Sequence, residues 1–182
     1  MLKVTPTKLE GLFVIEPKYF GDSRGYFAET YSKERFESAV GQSVDFIQDN
    51  HSHSVKNTLR GLHYQSSPGQ AKLVRCSSGV VWDVAVDIRP DSKTFGQWQG
   101  VELSGENRKQ LFVPRGFAHG FCVLSDRADF QYKVSSYYNA DTECTIAWND
   151  PTIGVEWPVT TPLLSARDTD SPTWDDYLKT LP

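Results

Sequence analysis

The sequence predicts a mainly β protein folded as a jelly-roll β-barrel with a few short peripheral helices. Short runs of β-branched and aromatic residues recur along the chain. Turn-forming groups such as Phe20-Gly21-Asp22, Ser67-Pro68-Gly69, Arg89-Pro90-Asp91 and Asn149-Asp150-Pro151 separate them, the pattern of antiparallel strands joined by tight turns. Two of these stretches alternate with the period of a strand. Helical patterning is confined to two brief segments.

From Val80 to Ile88, the residues Val80, Trp82, Val84, Val86 and Ile88 fall on one side and Asp83 and Asp87 on the other, which predicts one core face and one polar face. Between Phe130 and Tyr138 the residues Phe130, Tyr132, Val134, Ser136 and Tyr138 share a face if no bulge intervenes. Ser32 is placed to cap a first short helix that carries Phe36 and Val40 on one side and stops at Gly41, a residue suited to the left-handed C′ position. A second helix is expected from Ser171-Pro172, with Ser as N-cap and Pro at the first helical position, and with Trp174, Tyr177 and Leu178 docking it on the barrel. Eight or more short strands in one such domain close as a jelly roll, whose mouth is a natural small-molecule pocket.

The 182 residues, 38% hydrophobic and 13% aromatic, suit one domain over residues 1–182, without repeats, low-complexity segments or a linker. Lys+Arg total 19 against Asp+Glu 23, a net charge of −4, which argues against a nucleic-acid partner. Near the N-terminus the only apolar run is Leu12 to Ile15. That is too brief for a signal h-region and far below the roughly 20 residues of a membrane span, so a cytoplasmic protein with no membrane partner is expected. Cys76, Cys122 and Cys144 are odd in number and form no CxxC, which favours buried reduced thiols over a disulfide framework or a cysteine zinc site.

The four histidines lie in three segments: His51 and His53 in an HxH, His63 in Arg60-Gly61-Leu62-His63, and His119 in Pro114-Arg115-Gly116-Phe117-Ala118-His119. The HxH followed by PxGxxH invites a cupin metal-site reading, because imidazoles from adjacent strands can converge on one metal. Such sites add a glutamate a few residues after HxH. Here those positions hold Val55, Lys56, Asn57 and Thr58, so a site without a metal is the stronger reading. A free imidazole can then act as a base if a carboxylate orients it, and His63 is the candidate. Tyr132, on an inward-facing strand, could serve as the acid, and Lys72 and Arg60 could hold an enolate oxygen beside a ketone. Taken singly, each has an ordinary structural explanation: a hydrogen-bonded strand histidine, a core aromatic, solvated charges at a barrel rim. Only the constellation favours chemistry.

The runs Phe20-Gly21-Asp22-Ser23-Arg24-Gly25, Gln48-Asp49-Asn50, Leu59-Arg60-Gly61-Leu62-His63, Ala71-Lys72-Leu73-Val74-Arg75, Val84-Ala85-Val86-Asp87-Ile88-Arg89, Pro114-Arg115-Gly116-Phe117-Ala118-His119-Gly120-Phe121 and Trp148-Asn149-Asp150 closely resemble the dTDP-4-dehydrorhamnose 3,5-epimerase family, in order and over nearly the whole chain. The resemblance implies a cupin-type jelly roll that needs neither metal nor cofactor and is typically a homodimer. It further implies that His63 is the base, that Asp168 orients it as a His-Asp dyad, that Tyr132 is the proton donor on the opposite face, and that Lys72 steadies the enolate with Arg60 beside it. Arg24, Glu29, Gln48, Asp49, Asn50, His119, Glu143 and Arg167 match family positions that contact the dTDP-sugar substrate, some of the N-terminal ones from the partner subunit. Tyr138 matches the aromatic that stacks on thymine. Arg167 stands where relatives often carry Lys, which keeps the charge and changes the hydrogen-bond geometry.

Two positional questions accompany the resemblance. Tyr132 and Tyr138, six apart on one strand face, would be on the order of 20 Å apart, one at the sugar end and one at the base end of the ligand. Arg60 and His63 differ by three, so an unbroken strand would face them oppositely unless Gly61 marks a bulge. The same residues are compatible with an enzyme that epimerises one carbon, with a cupin sugar-nucleotide 3,4-ketoisomerase, or with a non-catalytic sugar-nucleotide-binding cupin.

Overall fold

The structure, a computed structural model, describes residues 2–181. In chain order the strands begin with β1 (Lys3–Pro6), β2 (Phe13–Glu16), β3 (Tyr19–Asp22) and β4 (Gly25–Ala28), followed by helix α1 (Lys33–Val40). Then come β5 (Gln48–Val55), β6 (Leu59–Gln65), β7 (Lys72–Ser78), β8 (Val80–Asp87) and β9 (Trp98–Ser104). The last strands are β10 (Gln110–Val113), β11 (Phe117–Val123), β12 (Arg127–Val134) and β13 (Glu143–Thr145), and the short helices α2 (Ala166–Thr169) and α3 (Trp174–Leu178) close the chain. Two antiparallel sheets result, ordered β1-β2-β10-β7-β12-β5 and β13-β6-β11-β8-β9, with β3 and β4 paired as a separate hairpin. This is the mainly β cupin-type architecture expected from the alternating runs.

Three apolar layers hold the sheets. Between them lie Val74, Val81, Ala85, Leu103, Phe121 and Phe130, with the Phe121 and Phe130 rings stacked at a centroid distance of 4.1 Å. Each fully buried side chain of this kind stabilises the fold by about 1.5–3 kcal/mol relative to exposure. The outer face of the five-stranded sheet, with Leu62, Val84, Val86 and Ala118, is covered by Ile153, Trp174 and Tyr177 of the C-terminal segment. Tyr177 pins that cover by donating its hydroxyl to the Ile88 carbonyl at 2.6 Å. Helix α1 covers the other sheet through Phe36, packed with Ile15, Leu73 and Phe112.

This layering corrects the reading of β8, whose second face is not exposed. Val81, Asp83, Ala85 and Asp87 are all buried, because one side of the strand faces the barrel interior and the other the C-terminal cover. The helices also begin differently from expectation. Ser32 occupies the N-cap of α1 but its side chain makes no capping bond, whereas Gly41 does end the helix with φ 73°. The last helix starts at Trp174 rather than at Pro172. Thr173 caps it through a reciprocal box in which Thr173 Oγ1 accepts from the Asp176 N–H and the Asp176 carboxylate accepts from the Thr173 N–H, a motif that outcompetes Ser171 for the start. Trp174 and Tyr177 dock as expected, and Leu178 stays exposed. The strand expected to run to Tyr138 ends at Val134, after which Ser135 is drawn aside to accept from the Ala71 N–H at 2.9 Å through its hydroxyl.

The β3–β4 hairpin stands apart from both sheets. Its Tyr19 and Tyr26 rings meet edge-to-face, and the Arg108 guanidinium lies over both, 4.6 and 4.4 Å from their centroids. Phe20, Tyr26 and Phe27 are exposed on it.

Candidate active site

A cavity of about 290 Å³ opens at one end of the barrel, lined by Gln48, Asn50, Arg60, His63, Lys72, His119, Tyr132, Tyr138, Glu143 and Arg167 among others. Phe121 and Phe130 form its floor, where it meets the apolar core. The polar half of the barrel interior is therefore continuous with a rigid apolar half.

The placement of Arg60 and His63 on one face follows from register. Arg60 pairs with Phe121 and His63 with His119, so β6 spends two residues where β11 spends only Gly120, and the register shifts there. That extra residue is the bulge that the spacing of Arg60 and His63 required. Leu62 is turned outward into the other apolar layer. Gly61 adopts φ +138°, and a Cβ there would lie 2.6 Å from the Gly120 Cα. A Cβ on Gly120 would in turn lie 2.7 Å from the Arg60 carbonyl oxygen. Two glycines back to back thus set which way the His63 imidazole points.

His63 Nε2 lies 2.5 Å from Asp168 Oδ1. The other carboxylate oxygen, Oδ2, accepts from the Ser165 hydroxyl at 2.7 Å. Burial by itself would raise the pKa of Asp168, but hydrogen bonds from His63 and Ser165, with a lesser contribution from the Gly61 amide, hold its carboxyl below the usual range. An ionised carboxylate only accepts, so Nε2 carries the proton and Nδ1 is left as the basic nitrogen. Burial lowers the His63 pKa, Asp168 opposes this, and the charges of Lys72 and Arg167 lower it further. The imidazole is therefore neutral near pH 7. Asp168 is presented by α2, which the sequence reading did not find. Ser165 caps that helix by accepting from the Asp168 N–H, and the four-residue helix is too short for a periodic signal.

Lys72 is 8% exposed, not a rim charge, and among the described residues its ammonium has no ion pair within 4 Å. Burial pushes its pKa down to about 8, against the pull of Asp83 and Glu143. Tyr132 enters from β12 in the facing sheet, and burial, the largest influence, raises its pKa. Arg60 sits at the exposed mouth and donates to the Ser54 hydroxyl at 3.2 Å. Glu143 and Arg167 form an ion pair beside them, and Arg167 Nη2 also lies 3.2 Å from His63 Nε2. Tyr138 is exposed at the mouth, and its phenol pKa is raised by the adjacent Glu143 carboxylate. It reaches this cavity from a loop, not from a continued strand, which corrects the spacing expected from strand rise.

Three expected contact residues do not join this cavity. Arg24 is paired with Asp22 at the tip of the hairpin. Glu29 is paired with Arg35 and lines a separate hollow against α1. Asp49 alternates with Gln48 and Asn50, so it falls on the reverse face of the sheet, where it accepts from Lys133 at 2.8 Å. His51 and His53 share that reverse face and both contact Asp129 Oδ1, at 2.9 and 3.0 Å, so the four imidazoles do not converge. One buried residue went unrecognised as part of the site. Asp83, fully buried, receives His119 Nε2 at 2.9 and 3.0 Å, and the alternation of β8 had marked it only as polar.

The family profile described as dTDP-4-dehydrorhamnose 3,5-epimerase matches residues 6–176. The dTDP-4-dehydrorhamnose 3,5-epimerase of Salmonella typhimurium is 53% identical over 182 residues, covering 99% of this chain and 100% of the relative. That of Shigella flexneri is 55% identical over 168 residues, covering 92% and 93%. Among solved structures, a dTDP-6-deoxy-D-glucose-3,5-epimerase from Legionella pneumophila, in complex with dTDP-4-keto-L-rhamnose, superposes with a TM-score of 0.94 at 47% identity, over 96% of this chain and 94% of that one.

Substituting Gly61→Ala is expected to lower stability by about 2 kcal/mol, from the disallowed φ and the clash with Gly120. Turnover should fall ~100-fold, since a displacement of roughly 1 Å in a catalytic group costs that much. Thermal unfolding and steady-state rates check this, and an unaltered rate in a folded variant would show that the bulge does not set the base. The motif order, the length of the match and the shared geometry together establish that the chain belongs to the dTDP-4-dehydrorhamnose 3,5-epimerase family.

Proposed function

We propose that this protein converts dTDP-4-dehydro-6-deoxy-D-glucose to dTDP-4-dehydro-L-rhamnose by epimerising C5 and then C3. The observation that carries the reading is the position of base and acid on opposite walls. His63 belongs to the five-stranded sheet and Tyr132 to the six-stranded one, and both line one cavity. Inverting a carbon requires that a proton leave from one face and return on the other, and a sugar ring held between the two sheets meets that requirement.

In the first half-step, His63 Nδ1 takes the C5 proton, the C–H electron pair moves into a C5–C4 double bond, and the C4 carbonyl becomes an enolate oxygen. Lys72 lies ready as the cation for that oxygen, with no carboxylate paired to it within 4 Å among the described residues. In a buried site its charge acts with less screening than in water. Tyr132 then protonates C5 from the opposite wall, and exchange with solvent restores the phenol and the neutral imidazole. The C3 proton flanks the same ketone and undergoes the same cycle. Side chains supply acid, base and oxyanion group, so no cofactor enters the scheme.

The cavity is at the small end of ligand pockets, which fits the sugar, while the diphosphate and base extend over the mouth. Arg60 and Arg167 are the cations there for charge-assisted bonds to phosphate, and Tyr138 is the exposed ring available for stacking on the thymine. Gln48, Asn50 and His119 supply further polar contacts around the sugar. Arg24 and Glu29 fit this picture as contributions to a partner's cavity in a homodimer, carried there by the detached hairpin with its exposed Phe20, Tyr26 and Phe27. A cytoplasmic location accords with a nucleotide-sugar substrate.

In deuterated water the product is expected to carry deuterium at C5 and C3, read from the ring-proton NMR signals. Exchange should vanish in His63→Ala, and Tyr132→Phe should release product without inversion at C5. An active wild type that gives unlabelled product would exclude the proton-transfer mechanism, and bound ligand without exchange would mark a binding protein. The pH profile follows from the same groups. Activity should rise with pH through a value below 6.5 as His63 deprotonates, and fall near pH 8 as Lys72 loses its proton; a profile flat across that window would remove these assignments. Mixing inactive Arg24→Ala chains with inactive His63→Ala chains should restore activity, because hybrid dimers would contain one intact cavity. No recovery after verified exchange would mean that Arg24 does not serve the partner.

A further inference from the structure

Asp83 is a carboxylate with 0% exposure in the floor of an otherwise well-packed barrel. Removing such a group from water is costly unless its partners compensate. Its partner by hydrogen bonding is His119, whose Nε2 lies 2.9 and 3.0 Å from the two carboxylate oxygens, and whose ring is backed by Phe130 at 6.2 Å. The arrangement parallels that of His63 and Asp168, with the two histidines directly cross-strand from one another. Asp83 is nevertheless absent from the chemistry derived above.

We propose that Asp83 is a positioning residue for the epimerisation, fixing His119 with its proton on Nε2 so that Nδ1 faces the sugar as an acceptor. Both Asp83 carboxylate oxygens lie within hydrogen-bond distance of Nε2, at 2.9 and 3.0 Å. A carboxylate on that edge of the ring accepts the Nε2 proton in a hydrogen bond and leaves the lone pair on Nδ1. His119 lines the cavity, and an acceptor there suits a sugar hydroxyl.

This inference rests on the epimerase reading, so its test begins without substrate. With histidine ring nitrogens isotopically labelled and His119→Gln used to assign the signal, the His119 nitrogen shifts are read by NMR in wild type and in Asp83→Asn. In the wild type a protonated Nε2 and a bare Nδ1 are expected, and the reverse tautomer overturns the proposal. In Asp83→Asn the amide can donate to Nε2, so the tautomer is expected to shift towards Nδ1–H, and KM should rise about fivefold, the loss of one hydrogen bond, while kcat changes less. A folded variant with an unmoved His119 tautomer, or with a loss in kcat alone, would reduce Asp83 to a structural residue. Should the variant fail to fold, the wild-type shifts decide the proposal alone. Failure of the epimerase reading itself would appear separately, as a wild type that exchanges no substrate protons.

Discussion

A single surplus residue in β6 determines which side chains enter the barrel. Where β11 advances by Gly120, β6 advances by Gly61 and Leu62, and this local mismatch gives Arg60 and His63 a common face while sending Leu62 into the layer beneath the C-terminal cover. The contact is possible only because neither strand carries a Cβ at the point of crossing. The Gly61 amide in turn helps hold Asp168 ionised. His63, its Asp168 partner and Arg60 thus share one backbone irregularity, and the rest of the cavity is arranged around it.

Around that point the barrel divides into a dry half and a charged half. The stacked Phe121 and Phe130 separate them, and the core behind leaves little freedom to relax. In such surroundings charges are governed by their immediate neighbours. Burial drives Lys72 towards neutrality and His63 likewise, and the carboxylates of Asp83, Glu143 and Asp168 push back. The result is an ammonium that is protonated at neutral pH but close to its limit, facing an imidazole that is already free of its extra proton. That combination suits the removal of a weakly acidic C–H proton without a permanently strong base.

Much of this was legible in the sequence. Alternation revealed β8 and the inner part of β12, the turn residues marked the breaks, and the three-residue spacing from Arg60 to His63 called for a bulge at Gly61. The features that escaped are those set by tertiary structure. The second face of β8 reads as polar because Asp83 and Asp87 lie on it, yet the opposing sheet buries it. Helix α2 has four residues, too few for periodicity, and exists because Ser165 caps it beneath His63. The end of β12 at Val134 depends on a bond from Ala71 to Ser135, sixty-four residues apart, which no local pattern announces. Resemblance assigned Arg24, Glu29 and Asp49 to substrate, whereas within one chain the fold pairs them with Asp22, Arg35 and Lys133 on other surfaces.

The departure of the chain from the sheet after Val134 gives Tyr132 and Tyr138 different kinds of anchorage. Tyr132 is locked in register by neighbours on both sides, while Tyr138, six residues on, hangs from a loop with no ladder to preserve. Insertions and substitutions in that loop can move Tyr138 without shifting Tyr132 by a residue. These two rings, which share the cavity, are therefore mechanically decoupled: one is held by the sheet and the other follows its loop.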